Sequence, residues 1–359
     1  MPSSPPSPPT SRPQPPVPVI ADVDTGVDDA LALMFLARSP RIDLRAVTCV
    51  SGNTDVDQVL RNTLDVLAVA GRPDIPVARG AERPLINEPR NAHAFHGANG
   101  LGGLTLPASP AAPSPLAAVE LLHRTIEDSP EPVTLLGIGP LTNIAVFLRA
   151  YPRTARKLAR IVFMGGSAGI GNATSHAEFN AWQDPEALAV VLDSGLPVTM
   201  YGLDVFTLAT VDAQQYLALE GSGDPGARLV GTLLASGARA AVQAAVQAAA
   251  PAAAPAAVPA AAQTLAQADD GGLPPVTMGD AGAACLIAAP GTVVLQDYPV
   301  RVELAGHSRG QTLVDRRVIA GEDTVHGLLA PAPVISVATA LDHAAITETF
   351  LQAVSSPAL

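Results

Sequence analysis

The stretch from Val19 to Leu33 sets an apolar run, an acidic cluster and a second apolar run end to end, and it constrains the fold of the whole chain. The first run is β-branched and short, as for a buried strand, and the second has the length of a buried helix. Between them Asp22, Asp24, Asp28 and Asp29 fall within eight residues. Like charges held so close raise one another's pKa unless hydrogen-bond donors or a cation stabilise the ionised forms. A hard divalent cation with oxygen ligands is the simplest counter-charge. The competing reading is local: Asp24 or Thr25 caps the helix, and Asp28 and Asp29 are first-turn acids favoured by its macrodipole. That accounts for part of the cluster, not for Asp22 and Asp24 two residues apart on one side of a strand.

The rest of the chain alternates short β-branched runs with longer helical ones, the pattern of an α/β fold with an open, mostly parallel Rossmann-like sheet flanked by helices. Strands are predicted at Val17 to Val23, Leu44 to Val50, Val77-Ala78, Val133 to Leu136, Ile161 to Met164 and Val198 to Tyr201, and later at Thr292 to Leu295 and Val300 to Leu304. Helices are predicted at Asp28 to Ala37, Val56 to Ala70, Leu116 to Glu127, Leu141 to Ala150, Pro185 to Ser194, Ala281 to Ala288 and about Leu341 to Val354. Asp184 is the expected cap of the helix at Pro185, and Asp204 a further cap. Residues 80 to 115 form a long polar loop carrying His93 and His96. In such sheets ligands bind beyond the carboxyl ends of the strands, where Asp24, Asn53 and Asn172 all fall.

Gly165 to Asn172 is glycine-rich, yet no helix follows it, so it is not a dinucleotide turn. Residues 1–16 are a Pro-rich tail, expected to be disordered, and 17–359 a single domain. Pro251, Pro255 and Pro259 interrupt an Ala-rich helical run, which predicts a mobile low-complexity insertion at about 245–275. A net charge of −12 with no basic run argues against nucleic acid and anionic membrane as partners. Cys49 and Cys285 sit in apolar surroundings without ligand spacing and read as small buried hydrophobes. With no leader-like start and no apolar stretch of spanning length, a cytoplasmic location is expected.

The acidic motif Asp22-Val23-Asp24-Thr25-Gly26-Val27-Asp28-Asp29 resembles the metal-binding signature of the nucleoside hydrolases, in which Pro usually takes the place of Thr25. The resemblance continues in order through Gly52-Asn53, His96-Gly97, Gly137 to Ile144, Met164-Gly165-Gly166, Gly171-Asn172, Ala177 to Asn180, Asp184 to Ala187, and Arg309 to Thr312 with Asp315. It implies calcium-dependent hydrolysis of the N-glycosidic bond of ribonucleosides, in a homo-oligomer of two or four chains. By the same resemblance, Ca2+ is held by Asp24, Asp29, the Ile138 carbonyl and Asp280, with Asp24 also the general base. Asp28 then takes the 2′-hydroxyl, Asn180 the 3′-hydroxyl, and Asn172 with Glu178 the 5′-hydroxyl, while Asn53, Met164 and His96 line the substrate pocket.

Two departures from the resemblance concern the leaving base. Many relatives carry a His just before the last metal-binding Asp, where this chain has Gly279, and residues 217 to 280 contain no Tyr, Trp, Phe or His. Gly279→His is the expected repair, provided the backbone does not need a positive φ there. Two other readings compete. One is a ribose- or nucleoside-binding protein without catalysis. The other is a metal-dependent phosphatase of the haloacid dehalogenase type, which needs a Thr or Val where Gly26 stands and a later Lys.

Overall fold

The computed structural model describes residues 15–249, 272–319, 321–327 and 330–356. Most of the expected tail and the core of the expected insertion lie outside these residues. In chain order the elements are β1 (Val17–Val23), α1 (Val27–Arg38), β2 (Ile42–Cys49), α2 (Val56–Val69), β3 (Val77–Arg79), α3 (His93–His96), α4 (Ala118–Glu127), β4 (Val133–Gly137), α5 (Thr142–Ala150) and α6 (Pro152–Ala155). There follow β5 (Leu158–Met164), α7 (Phe179–Gln183), α8 (Pro185–Leu192), β6 (Val198–Tyr201), α9 (Leu203–Phe206), β7 (Thr210–Val211), α10 (Ala213–Glu220) and α11 (Pro225–Ala249). The described chain closes with β8 (Val276–Thr277), α12 (Ala281–Ala288), β9 (Val293–Val302), β10 (Thr312–Val314), α13 (Glu322–Val325), β11 (Val334–Leu341) and α14 (His343–Ser355).

Nine strands form one sheet in the order β10-β9-β11-β6-β5-β4-β1-β2-β3. Every pairing from β11 to β3 is parallel, and only β9 against its two neighbours is antiparallel. The alternation along β1 divides the core: Val19, Ala21 and Val23 pack with α1, α2 and α12, whereas Ile20 packs with α4, α5 and α8 on the other face. Helices on both faces bury both sides of the sheet, which is why its central strands are mostly apolar. Among the described residues no helix is long and apolar enough to cross a membrane.

Several expected elements are revised. The two strands expected at Thr292 to Leu295 and Val300 to Leu304 are one, β9. It pairs with β11 through Pro299 and with β10 from Val300 to Val302, so the proline, which has no N–H to give, sits where the strand changes partners. The expected helix start at Leu341 is the end of β11, a strand the sequence reading did not place. Asp204 is not a cap: Gly202 holds that position in α9, and Asp204 Oδ2 instead accepts from Ala168 N at 2.8 Å.

Candidate active site

Strand β1 ends at Val23, so Asp24 begins the turn into α1 and is free of the sheet's alternation. Asp22 remains within it. It faces α5, where its Oδ1 accepts from Asn143 Nδ2 at 2.8 Å, and burial pushes its carboxyl up to about 7. The sharing of one strand side expected for Asp22 and Asp24 therefore fails: Asp22 belongs to the floor beneath the site. Asn143, which the motif reading left without a role, ties that floor together by also donating to Cys49 O and accepting from Ala81 N.

The helix α1 is capped by Gly26, not by Asp24 or Thr25. Asp29 reaches back over the first turn, its Oδ1 accepting from Asp24 N at 3.1 Å and its Oδ2 from Gly26 N at 3.0 Å. Asn53, just past β2, donates its side-chain N–H to Asp29 Oδ2 at 3.0 Å and its backbone N–H to Asp24 Oδ2 at 2.7 Å. Asp280 arrives from the start of α12 without making a side-chain cap there. One oxygen from each of Asp28, Asp29 and Asp280 lies within 4.8 Å of the others.

Burial raises the Asp24 and Asp280 carboxyls well above their ordinary range and Asp29 to about 6, and mutual repulsion among the acids adds to it. Asp28 Oδ1 is buried with no hydrogen-bond partner. Converging hard oxygen donors that raise one another's pKa, one of them without a hydrogen-bond partner, suit a divalent cation such as calcium. The grouped oxygens include that of Asp28, which the resemblance placed at the 2′-hydroxyl, beside those of two expected ligands, Asp29 and Asp280.

Across the mouth of the sheet, α7 supplies amide and carboxylate groups. Asn180 Nδ2 donates to Ile138 O at 2.9 Å and to Met164 O at 3.2 Å, linking the ends of β4 and β5. Glu178 caps α7: its Oε1 accepts from Asn180 N at 2.9 Å, and its Oε2 from Gly166 N at 2.9 Å and Ala181 N at 3.1 Å. Asn172 Oδ1 accepts from Phe179 N at 2.9 Å. His96 leans on the start of α1, with Val27 N donating to its Nδ1 at 3.2 Å.

All these ends open on one cavity of about 330 Å³. Every metal or substrate residue implied by the resemblance lines it except Asp29, which stands behind Asp24 and Asn53. His93 is not among the lining residues; its Nε2 lies 3.4 Å from Thr54 Oγ1. Sequence reasoning missed Phe95, Phe179 and Phe206, which also line the cavity. Each sits in a helix of four or five residues, too short for a periodicity to mark it, and all three lie outside the segment searched for aromatics. Gly279 has φ +56°, and a Cβ there would lie 2.6 Å from Asp28 Cβ and 3.2 Å from Phe206 Cζ. The proviso attached to Gly279→His is thus not met, and that repair is withdrawn.

A sequence profile of the inosine-uridine preferring nucleoside hydrolases matches residues 19–348. The chain belongs to this family. Among curated relatives, the pyrimidine-specific ribonucleoside hydrolases RihA of Citrobacter koseri and Salmonella arizonae are each 45% identical, over 218 and 221 residues, or 61% of this chain and 70% of theirs. Among solved structures, a plant nucleoside hydrolase superposes with a TM-score of 0.81 at 26% identity, covering 96% of this chain and all of the other. A purine-preferring ribonucleoside hydrolase from Gardnerella vaginalis gives 0.77 at 26% identity, covering 95% and 98%. This nucleoside hydrolase is therefore an enzyme of ribonucleoside hydrolysis, and neither the phosphatase reading nor that of a non-catalytic binder is retained.

Proposed function

We propose that this nucleoside hydrolase is calcium-dependent and cleaves pyrimidine ribonucleosides in the cavity walled by Asp24, Asp28, Asn180 and Asp280. The observation that carries the reading is the convergence on one cavity of the carboxylates of Asp24, Asp28, Glu178 and Asp280 and the amides of Asn53, Asn172 and Asn180, with the buried Asp28 Oδ1 left without a hydrogen-bond partner and three phenylalanines also in the lining. Asp24, Asp28, Asp29, Asp280 and the Ile138 carbonyl would hold the ion, which when bound supplies positive charge that neutralises the acids and makes water more acidic. The pyrimidine preference rests on the 45% identity to the two RihA enzymes.

The chain's own groups do the rest. Asp28 and Asn180 bind the 2′- and 3′-hydroxyls and fix the ring, while Asn172 and Glu178 take the 5′-hydroxyl. Bond cleavage passes through an oxocarbenium-like ribosyl cation, and the ring of carboxylates stabilises the charge that develops on it. Asp24 removes the proton of the attacking water. Phe179 and Phe206, both half-buried, and the exposed Phe95 offer the base apolar rings. Assembly as a dimer or tetramer and a cytoplasmic location complete the proposal; sedimentation and cell fractionation test them.

A panel of purine and pyrimidine ribonucleosides, assayed for reducing sugar with and without a chelator, tests the reading. We expect uridine and cytidine to be cleaved faster than inosine, with activity lost on chelation and regained with added calcium. Ribose release that a chelator leaves untouched would remove the ion from the scheme, and a purine preference would remove the base assignment.

A further inference from the structure

With Gly279 bearing no side chain, the leaving base must be assisted by something else, and His96 is the histidine that lines the cavity. Its backbone is fixed at both ends, His96 N donating to Ala92 O at 3.0 Å and His96 O accepting from Gly102 N at 2.8 Å. Its ring packs on the first turn of α1 because position 26 is glycine: a Cβ there would lie 2.7 Å from His96 Nδ1. The decisive contact is that of Val27 N with Nδ1 at 3.2 Å. A backbone N–H can only donate, so Nδ1 must accept and carries no hydrogen. The ring's hydrogen therefore sits on Nε2, the nitrogen turned away from α1, which has no hydrogen-bond partner among the described residues. The carboxylates near the ring are Asp28, with Oδ1 3.8 Å from Nδ1, and Asp29 behind it. A hydrogen on Nδ1 could serve Asp28 only by facing the Val27 N–H.

We propose that His96 assists the leaving base as a fixed hydrogen-bond donor through Nε2–H, not as a proton donor. This rests on the reading of the site as that of a ribonucleoside hydrolase. As the bond from the anomeric carbon to the base nitrogen breaks, its electron pair goes to the base, and the water oxygen bonds to that carbon while Asp24 takes the water's proton. The base departs as an anion with its charge spread onto the ring carbonyl beside the cleaved nitrogen, where Nε2–H donates to it. The anion then takes a proton from solvent, and Asp24 returns its own to solvent. A pyrimidine fits this scheme because its 2-carbonyl oxygen adjoins the nitrogen that is released.

The test compares His96→Gln and His96→Ala on uridine and on 4-nitrophenyl riboside, whose leaving group needs no donor. A side-chain amide can donate a hydrogen bond but cannot act as an acid. His96→Ala should lower kcat on uridine about a hundredfold or more, the usual loss for one such donor, and leave nitrophenyl riboside within about threefold. His96→Gln should recover most of the loss on uridine. Retained turnover of the activated riboside shows that each variant has kept its fold and ribose site. Glutamine as poor as alanine on uridine would mean that a proton must be transferred, and equal loss on both substrates would place His96 at the sugar; either overturns the proposal. Wild-type protein inert on both substrates would instead sink the underlying functional reading.

Discussion

Gly279 shows what one residue can forbid. An L-side chain held at positive φ costs about 1–2 kcal/mol, and here its Cβ would also meet Asp28. Gly279→Ala should therefore lower the urea midpoint and weaken substrate binding together, because relief of the clash displaces Asp28. An alanine variant with unchanged midpoint and KM would show that the turn adapts. Asp24→Asn is the opposite case, nearly isosteric, and should leave the fold intact while ribose release falls by at least about a hundredfold through loss of the proposed base. Turnover near wild type would remove Asp24 from that role. The acids were legible because a dense carboxylate cluster between two apolar runs has few bland explanations. Asp22 was misplaced because spacing alone does not say that β1 stops at Val23, and Phe206 was missed because a lone aromatic after a strand carries no pattern.

At the scale of elements, α7 is short, yet Glu178 fixes it at the edge of the cavity. The three N–H groups that Glu178 accepts come from α7 and from Gly166 at the end of β5, so one carboxylate joins helix to strand. Glu178→Gln keeps the volume but turns one acceptor oxygen into a donor that faces an N–H. It should cost about 1–3 kcal/mol, the penalty of leaving a buried polar group unpaired, read as a lower urea midpoint at unchanged slope. Wild-type stability would mean that the buried group is already protonated and the bonds are weak. The central strands and α1 were legible as apolar runs of strand and helix length, and α2, α4, α5 and α8 as longer runs between turn residues. The start of α11 was not: three glycines, Gly226, Gly231 and Gly237, fall in its first half and weaken a helical pattern. In the fold the first two are close approaches: a Cβ at Gly231 would lie 2.0 Å from Glu220 N, and one at Gly226 would lie 2.4 Å from Arg38 Cζ. Such contacts are between elements and leave no mark on local sequence.

The whole molecule is closed by Arg38, at the end of the helix that starts in the active site. Its guanidinium is buried and donates to Asp224 Oδ1 at 2.6 Å, just ahead of α11, and to the carbonyls of Val354 and Ser356 at the end of α14, at 3.1 and 3.0 Å. Two segments distant in sequence thus meet on the side chain of a third, and the position of α1 depends on them. Arg38→Ala should destabilise the protein by on the order of 3 kcal/mol, the low end for breaking a buried pair, because Asp224 retains access to water. The pairing also has a pH signature. The Arg38 guanidinium holds the Asp224 carboxyl below its ordinary value, so the folded state binds its proton less readily than the unfolded chain does. The stabilisation is complete above the unfolded value, about 4, and is lost as the pH falls from there through the lowered folded value. The difference in melting temperature between wild type and Asp224→Asn should therefore be constant from neutral pH down to about 5 and narrow below about 4. A gap that does not narrow in acid would show that Asp224 holds Arg38 by shape and hydrogen bonding, with no contribution from its charge.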